Sequence, residues 1–351
     1  DLPGLLAGHE HFGFKDGISQ PGVRGRAPDP PHEFLTPRRI HPDDSLSAYF
    51  ASPGEPLIRP GQFVFGYDTQ DPLTGGIGRR PGAPEWAKNG SFLVYRRLRQ
   101  DVGRFWGFMT TKAAELAAKP GFEGLTAERL AALLVGRWPS GAPVARTPLK
   151  DDPALARDWS NNYFQFANAS RFIPPAPGTG LDPDKDRLAP ADGDGFVCPG
   201  AAHIRKVNPR DLTTEQLGGM GDTFTRRILR RGIPFGPVLA DPQRQDNDPA
   251  RGNRGLLFIS YQTSIADQFE FLARTWMNRP REPEAHGGMD LVVGQNGEGG
   301  PDRTRQCPLR FKGTGGTVQA TLATDGDWII PTGGGYFFAP SVTALREELS
   351  G

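Results

Sequence analysis

Cysteine is almost absent: Cys198 and Cys307 are the only two among 351 residues. That excludes a disulfide framework. Neither stands next to a second Cys or a His at zinc spacing, so nothing points to a structural zinc site. No run of about 18 apolar residues occurs, so no segment reads as a spanning helix. Charge of one sign is also lacking. With 41 basic and 40 acidic residues the net charge is +1, and nothing argues for a nucleic-acid or membrane partner. No internal repeat stands out, which argues against a solenoid or propeller.

What the chain has in quantity is glycine and proline, 46 and 35 residues. They predict many turns and long irregular loops. Disorder is not implied, because 36% of the residues are apolar or aromatic, enough to build a core in a chain of one or two domains. Residues 1–60 read mostly as loop, broken by prolines from Pro28 to Pro60. Residues 139–200 are loop-rich again, with Asp151-Asp152-Pro153 and the acidic stretch 182–194. The sequence opens at Asp1 and reaches a candidate catalytic motif within twenty residues. The expectation is that an upstream part has been removed or exists as a separate polypeptide.

Between the loops, strands are predicted at Gln62–Tyr67, Ser91–Arg97, Gly255–Tyr261, Val318–Leu322 and Tyr336–Ala339. Asp101 reads as the N-cap of a helix to about Ala118, with Val102, Phe105, Trp106, Met109 and Ala113 at helical spacing. Thr126 caps a shorter helix ending near Gly136. Ser264, with Asp267 three residues later, starts another helix carrying Ile265, Phe269, Leu272 and Trp276 on one face. Helices follow strands irregularly, which favours α+β over a doubly wound α/β fold.

Three segments could carry chemistry. The stretch from Cys198 to Arg210 sets His203, one of six histidines, after Ala201 and Ala202. A neutral imidazole is a metal or haem-iron ligand. Small neighbours let a flat macrocycle approach the backbone, and Arg205, Lys206 and Arg210 suit its carboxylates. The plain alternative is a satisfied surface or core histidine. His9, His11 and His286 are rival ligands in poorer contexts. Gly13-Phe14-Lys15-Asp16-Gly17 holds a carboxylate between glycines. It reads as an Asx-type turn, or as a close backbone approach that points Asp16 at a ligand. In Ile228–Gly236, Arg230 and Arg231 are a solvated strand end, or one guanidinium turns inward to stabilise an anion.

Together these three segments resemble the motifs of the dye-decolourising peroxidases, a haem peroxidase family. Gly13–Gly17 is similar to their GxxDG motif, residues 198–210 to the proximal-histidine motif, and residues 228–236 to the distal-arginine motif. The likeness extends through Pro60–Gly66, Asn89–Leu98, Leu134–Pro143, Arg254–Gln262 and Met289–Gln295. It is greatest to the longer, fungal-like branch.

The resemblance implies a peroxidase that uses hydrogen peroxide to oxidise dyes, phenols and other aromatic donors. The alternative kept beside it is a haem-binding protein without turnover. The implied cofactor is haem b, iron protoporphyrin IX, with His203 as its proximal ligand. Asp16 and Arg230 fall on the distal face; Arg230 is preferred to Arg231 because it directly follows Ile-Leu. Arg210 is implied at a haem propionate. Asp290 is implied as the carboxylate bonded to the proximal histidine, with Asp267 as the fallback. Leu256 and Phe258 line the distal pocket, and Trp276 relays electrons from bulky donors.

The implied fold is α+β, ferredoxin-like (a dimeric α+β barrel) with long loop insertions. Residues 1–200 would end the first half and carry the distal Asp; residues 201–351 would form the C-terminal, haem-binding half. Two departures follow. Most of the N-terminal half lies outside this sequence, so a second polypeptide is expected to complete the barrel as a heterodimer. Phe235 stands where some relatives have Tyr.

Overall fold

The structure is a computed structural model that describes residues 7–24, 50–52, 54–73, 76–158, 160–167, 189–215, 219–238, 253–295, 303–313 and 315–349. Most of the acidic stretch 182–194 lies outside the described residues, as do residues 25–49 of the expected N-terminal loop.

Three short strands come first: β1 (Gly22–Val23), β2 (Phe50–Ser52) and β3 (Glu55–Ile58). β3 pairs parallel with β1 and antiparallel with β2. The predicted strand at Gln62–Tyr67 is absent. Pro60–Gln62 forms a 3₁₀ turn and the chain then coils. The reason is local: Gly66 takes φ +93°, leaving too few residues for a ladder. Loop partners satisfy the backbone instead, with Asn89 N donating to Phe65 O and Ser91 Oγ to Phe63 O.

β4 (Ser91–Gln100) is followed directly by α1 (Val102–Ala117). Asp101 caps α1 by accepting from Arg104 N at 3.2 Å. α2 (Ala127–Val135) is capped by Thr126 and ends on Gly136 at φ +92°, the left-handed stop that glycine accepts without strain. α3 (Pro153–Arg157), α4 (His203–Val207) and α5 (Gly219–Thr225) are short. β5 (Leu229–Phe235) and β6 (Gly255–Gln262) follow. Ser264 Oγ accepts from Asp267 N to start the helical segment Ile265–Trp276, which winds in wide, π-type turns. The chain closes with β7 (Arg305–Gly313), β8 (Gly316–Thr324), β9 (Ile329–Ala339) and α6 (Val342–Glu347).

The main sheet is antiparallel, in the order β5-β6-β4-β9. Its two edge strands carry the prolines, Pro234 and Pro331, which cannot donate to a ladder and belong at edges. β7 and β8 form a separate hairpin. The sheet draws on both spans of the chain, since β4 lies between β6 and β9. α1 and α2 pack together over the core. Phe105, Met109, Leu130, Leu133 and Trp328 are buried there with Cys307, Leu309 and Leu322 of the hairpin. Burial of each such side chain contributes about 1.5–3 kcal/mol. The α+β expectation holds.

Pleating gives the main sheet two unlike faces. One carries Arg96, Leu98, Gln100, Arg230, Leu256, Phe258 and Tyr336, all of which line a single cavity. The other leaves Ile233, Tyr261 and Phe337 exposed by 42%, 38% and 55%.

Candidate active site

α4 begins at His203 because Pro199-Gly200 turns the chain tightly there. Gly200 has no room for a side chain: a Cβ would lie 2.7 Å from Gly287 Cα. Ala201 and Ala202 are fully buried. His203 Nδ1–H donates to Asp290 Oδ2 at 2.8 Å. Asp290 is fully buried, and its other oxygen accepts from Val292 N and Val293 N at 2.9 and 3.1 Å. The carboxylate is therefore fixed by backbone, and the imidazole by the carboxylate. Nε2 makes no hydrogen bond to a described residue, and the ring lines the cavity.

The basic residues after His203 do not all reach that cavity. Arg205 lies two positions on, on the far side of the helix. It forms a bidentate pair with Glu284, both contacts at 2.7 Å, and also reaches Asp192. Lys206 is fully buried and donates to the carbonyls of Arg279, Glu282 and Gly288. Burial pushes its ammonium down to about 8. Both cations hold the 279–290 loop that presents Asp290. The expectation that they serve a ligand's carboxylates is corrected: neither lines the cavity, while Arg210 does. Arg210 takes φ +56°, a strained backbone state for a non-glycine residue. Its guanidinium reaches Phe164 O at 2.8 Å and stacks 3.7 Å from the Phe164 ring.

Asp16 comes from the loop that precedes β1. Its carboxylate meets Arg230 at 2.8 Å. The pleat of β5 sends Arg230 into the cavity and leaves Arg231 exposed. Gly232, next on the same face, lets the carboxylate lie against the sheet; a Cβ there would stand 2.0 Å from Asp16 Oδ2.

His203, Arg210, Asp16 and Arg230 line one cavity of about 590 Å³ together with Leu256 and Phe258. Ile204, Val207, Leu272 and Val293 add apolar wall. The volume lies within the about 300–1,000 Å³ usual for cofactor and ligand sites. The rival histidines are elsewhere. His9 Nδ1 bonds Ala7 O, His11 Nε2 bonds Phe235 O, and none of His9, His11 and His286 lines the cavity. Asp267 is engaged with Ser264 at its helix start and does not line the cavity. Among the described residues no cluster of three His, Cys, Asp or Glu could hold a metal. Trp276 is fully buried, edge-on to Phe271.

A single imidazole held by a buried carboxylate thus shares one cavity with an acid–arginine pair. Over 354 residues the chain is 34% identical to the dye-decolorizing peroxidase msp1 of Mycetinis scorodonius. Over nearly its whole length the chain is similar to dye-decolorizing peroxidases. That alignment covers 99% of this chain and 58% of the relative. A peroxidase of Auricularia auricula-judae is 33% identical, with the same two coverages. A solved variant of the Pleurotus ostreatus dye-decolorizing peroxidase superposes at TM-score 0.69 and 35% identity, covering 98% of this chain and 63% of that one. The chain thus spans about 58% of the length of the curated peroxidases it matches. No family model matches it.

Sequence reasoning missed Glu10, Gln100 and Gly232, and it gave Lys206 a different role. Each is defined by a partner distant in the chain or by a pleat, and composition signals neither.

Proposed function

We propose that this chain carries the haem site of a peroxidase, which uses hydrogen peroxide to oxidise dyes, phenols and other aromatic donors. The observation that carries the reading is the shared cavity: His203 with its Asp290 partner, and the Asp16–Arg230 pair at 2.8 Å, line the same walls. Solved relatives support the substrate and cofactor classes. One is a dye-decolorizing peroxidase in complex with 2,6-dimethoxyphenol, at TM-score 0.66 and 31% identity. Another is described by the engineering of its heme pocket.

The residues present fit haem b. His203 Nε2 would be the iron ligand, Arg210 the partner of a propionate, and Leu256 and Phe258 the apolar lining of the distal side. When bound, haem supplies the electron chemistry of peroxide reduction and donor oxidation. Asp290 holds the His203 ring in one tautomer and one orientation and raises its donor strength. Asp16, ionised, accepts a proton from one peroxide oxygen and returns it to the other. Arg230 orients Asp16 and offers N–H donors to negative charge that develops on the departing oxygen. We assign the relay of electrons from bulky donors to Trp276.

We further propose a ferredoxin-like fold. Taking β4, α1, β5, β6, Ile265–Trp276 and β9 in turn reads β-α-β-β-α-β. The sheet order is fourth, first, third, second strand, the ferredoxin-like pattern. On that reading the division at residue 200 separates the span bearing Asp16 from the span bearing His203, while β4 of the first span joins the sheet of the second. The exposed sheet face at Ile233, Tyr261 and Phe337 is where a second polypeptide, from the same precursor or a separate gene, would complete the barrel.

The test is to load the protein with haem and add peroxide with 2,6-dimethoxyphenol. Peroxide-dependent oxidation is expected, lost in His203→Ala and reduced at least about 100-fold in Asp16→Asn. Haem binding with no peroxide-dependent oxidation would leave a haem-binding protein without turnover.

A further inference from the structure

The Asp16 loop is closed by an internal carboxylate. Residues 8–16 fold back on themselves, with Glu10 N donating to Phe14 O at 3.0 Å and Asp16 N to Gly8 O at 3.1 Å. His9 and Lys15 form an antiparallel bridge. At the tip, the amides of Phe12 and Phe14 point inward to the Glu10 side chain. Oε2 accepts from Phe12 N at 2.8 Å and Oε1 from Phe14 N at 2.9 Å. Gln100 Nε2 also donates to Oε2, and Gln100 Oε1 accepts from His11 N at 3.3 Å. Gln100 is the last residue of β4 and is itself buried. Glu10 and Gln100 therefore tie the loop to the end of the central strand by a two-way clamp. The core grips the same loop from behind: Phe12 stacks on Phe105 with centroids 4.3 Å apart, and Trp106 Nε1 donates to Phe12 O at 3.1 Å.

Glu10 forms no ion pair with a described residue, yet it lines the same cavity as Asp16 and Arg230. A structural staple alone would not need to face that space. We propose that Glu10 is the positioning residue for Asp16: through Phe12 N, Phe14 N and Gln100 it fixes where the Asp16 carboxylate stands against Arg230 and Gly232. This rests on the peroxidase reading for its kinetic consequence, though the clamp itself does not.

The clamp is sensitive to protonation. Burial, with a smaller contribution from the neighbouring Asp16 charge, pushes Glu10 up to about 7. Three donors already meet its two oxygens, and a proton added there takes the remaining lone-pair site and removes the negative charge that strengthens all three hydrogen bonds. The ionised form is the one that holds the loop. The other charged groups on this cavity wall are Lys15 and Asp16 from the loop, Arg96 from β4, Arg137 after α2, Arg210 after α4, Arg226 and Arg227 before β5, Arg230 from β5, and Glu270 and Arg274 from the helical segment Ile265–Trp276. His11 lies behind, and burial depresses its imidazole.

Two measurements on the haem-loaded full chain test this: amide hydrogen exchange of residues 8–17, and the second-order rate constant for hydrogen peroxide at pH 6 and pH 8. Glu10→Gln is expected to speed exchange in 8–17 at least about tenfold while the rest of the chain is unchanged. It should slow the peroxide step by about 10–100-fold, the scale of a misplacement of about 1 Å, and leave the later donor-oxidation step alone. Wild-type protein should lose peroxide rate from pH 8 to pH 6, and the variant should not. Gln100→Met, close in length, breaks the clamp from the other side and should repeat the result if Glu10→Gln does not fold. Unchanged exchange in 8–17, or faster exchange with an unchanged peroxide rate, overturns the proposal. If wild-type protein binds haem but shows no peroxide step, the peroxidase reading and the kinetic role fall together, while exchange still decides the clamp.

Discussion

His203 and Asp290 are 87 residues apart in the chain and 2.8 Å apart in space. The carboxylate is fully buried and takes two backbone N–H groups on its free oxygen. It is therefore rigid, and the imidazole inherits that rigidity. Asp290→Asn exchanges an anion for an amide that can present its NH₂ group to the wrong donors. The expected outcome is a loss of about 10–100-fold in haem affinity or activity, as for other carboxylates behind a ligating histidine. Haem titration followed by absorbance checks it, and unchanged affinity with unchanged turnover would remove Asp290 from the site.

Gly232 sets the other limit on Asp16. An added methyl would stand 2.0 Å from Asp16 Oδ2 and 3.0 Å from a Leu256 methyl. Gly232→Ala must move the carboxylate or the strand, and the peroxide rate should fall about 10–100-fold. Gly333→Ala is the control, since nothing lies within 4 Å of its added Cβ. Equal rates in the two variants would show that Asp16 tolerates displacement.

Lys206 predicts a pH dependence of stability. Burial lowers its folded value from 10.5 to about 8. Below pH 8 the folded state bears the cost of a buried ammonium. Between about 8 and 10.5 the folded state releases that proton while the unfolded chain keeps it. The unfolding free energy should therefore rise across that window, by at most about 3 kcal/mol from this group. Lys206→Met should abolish the rise. It also leaves three carbonyls without their donor, at about 1–3 kcal/mol each. Denaturant melts at pH 7.5 and 10 decide; parallel curves for both proteins would refute the assignment.

Trp276→Phe should slow the oxidation of bulky dyes and spare small phenols, if electrons from large donors pass through the indole. Trp276 is also fully buried, so a loss of packing would lower thermal stability without choosing between donors. Equal loss on both donor classes would count against the relay.

The two thiols should be inert. Cys198 and Cys307 are fully buried, and burial pushes both up to about 12. Thiolate, the reactive form, is negligible at pH 7. A thiol reagent should label neither in the folded protein and both after denaturation. Rapid labelling of the folded protein would contradict this burial.

Local chemistry by itself determined a good deal. Asp101 and Thr126 cap the helices they were expected to cap, because an N-cap depends on the side chain and the amide three residues later. β4, β6, β8 and β9 follow from short runs of strand-forming residues. Motif residues Asp16, His203 and Arg230 could be named from their neighbours. What the sequence could not decide was orientation and partnership. Gln62–Tyr67 has strand-forming residues but coils, because its hydrogen bonds go to Asn89, Gly90 and Ser91. The basic run after His203 divides by helix rotation, so Arg205 and Lys206 hold the Asp290 loop while Arg210 reaches the cavity. Arg230 faces Asp16 and Arg231 faces away through the pleat of one strand. Glu10 acquires its role only when β4 brings Gln100 against it from 90 residues away. Hydrogen bonds and contacts of that span exist only once the chain has closed, which is why tertiary structure alone decided them.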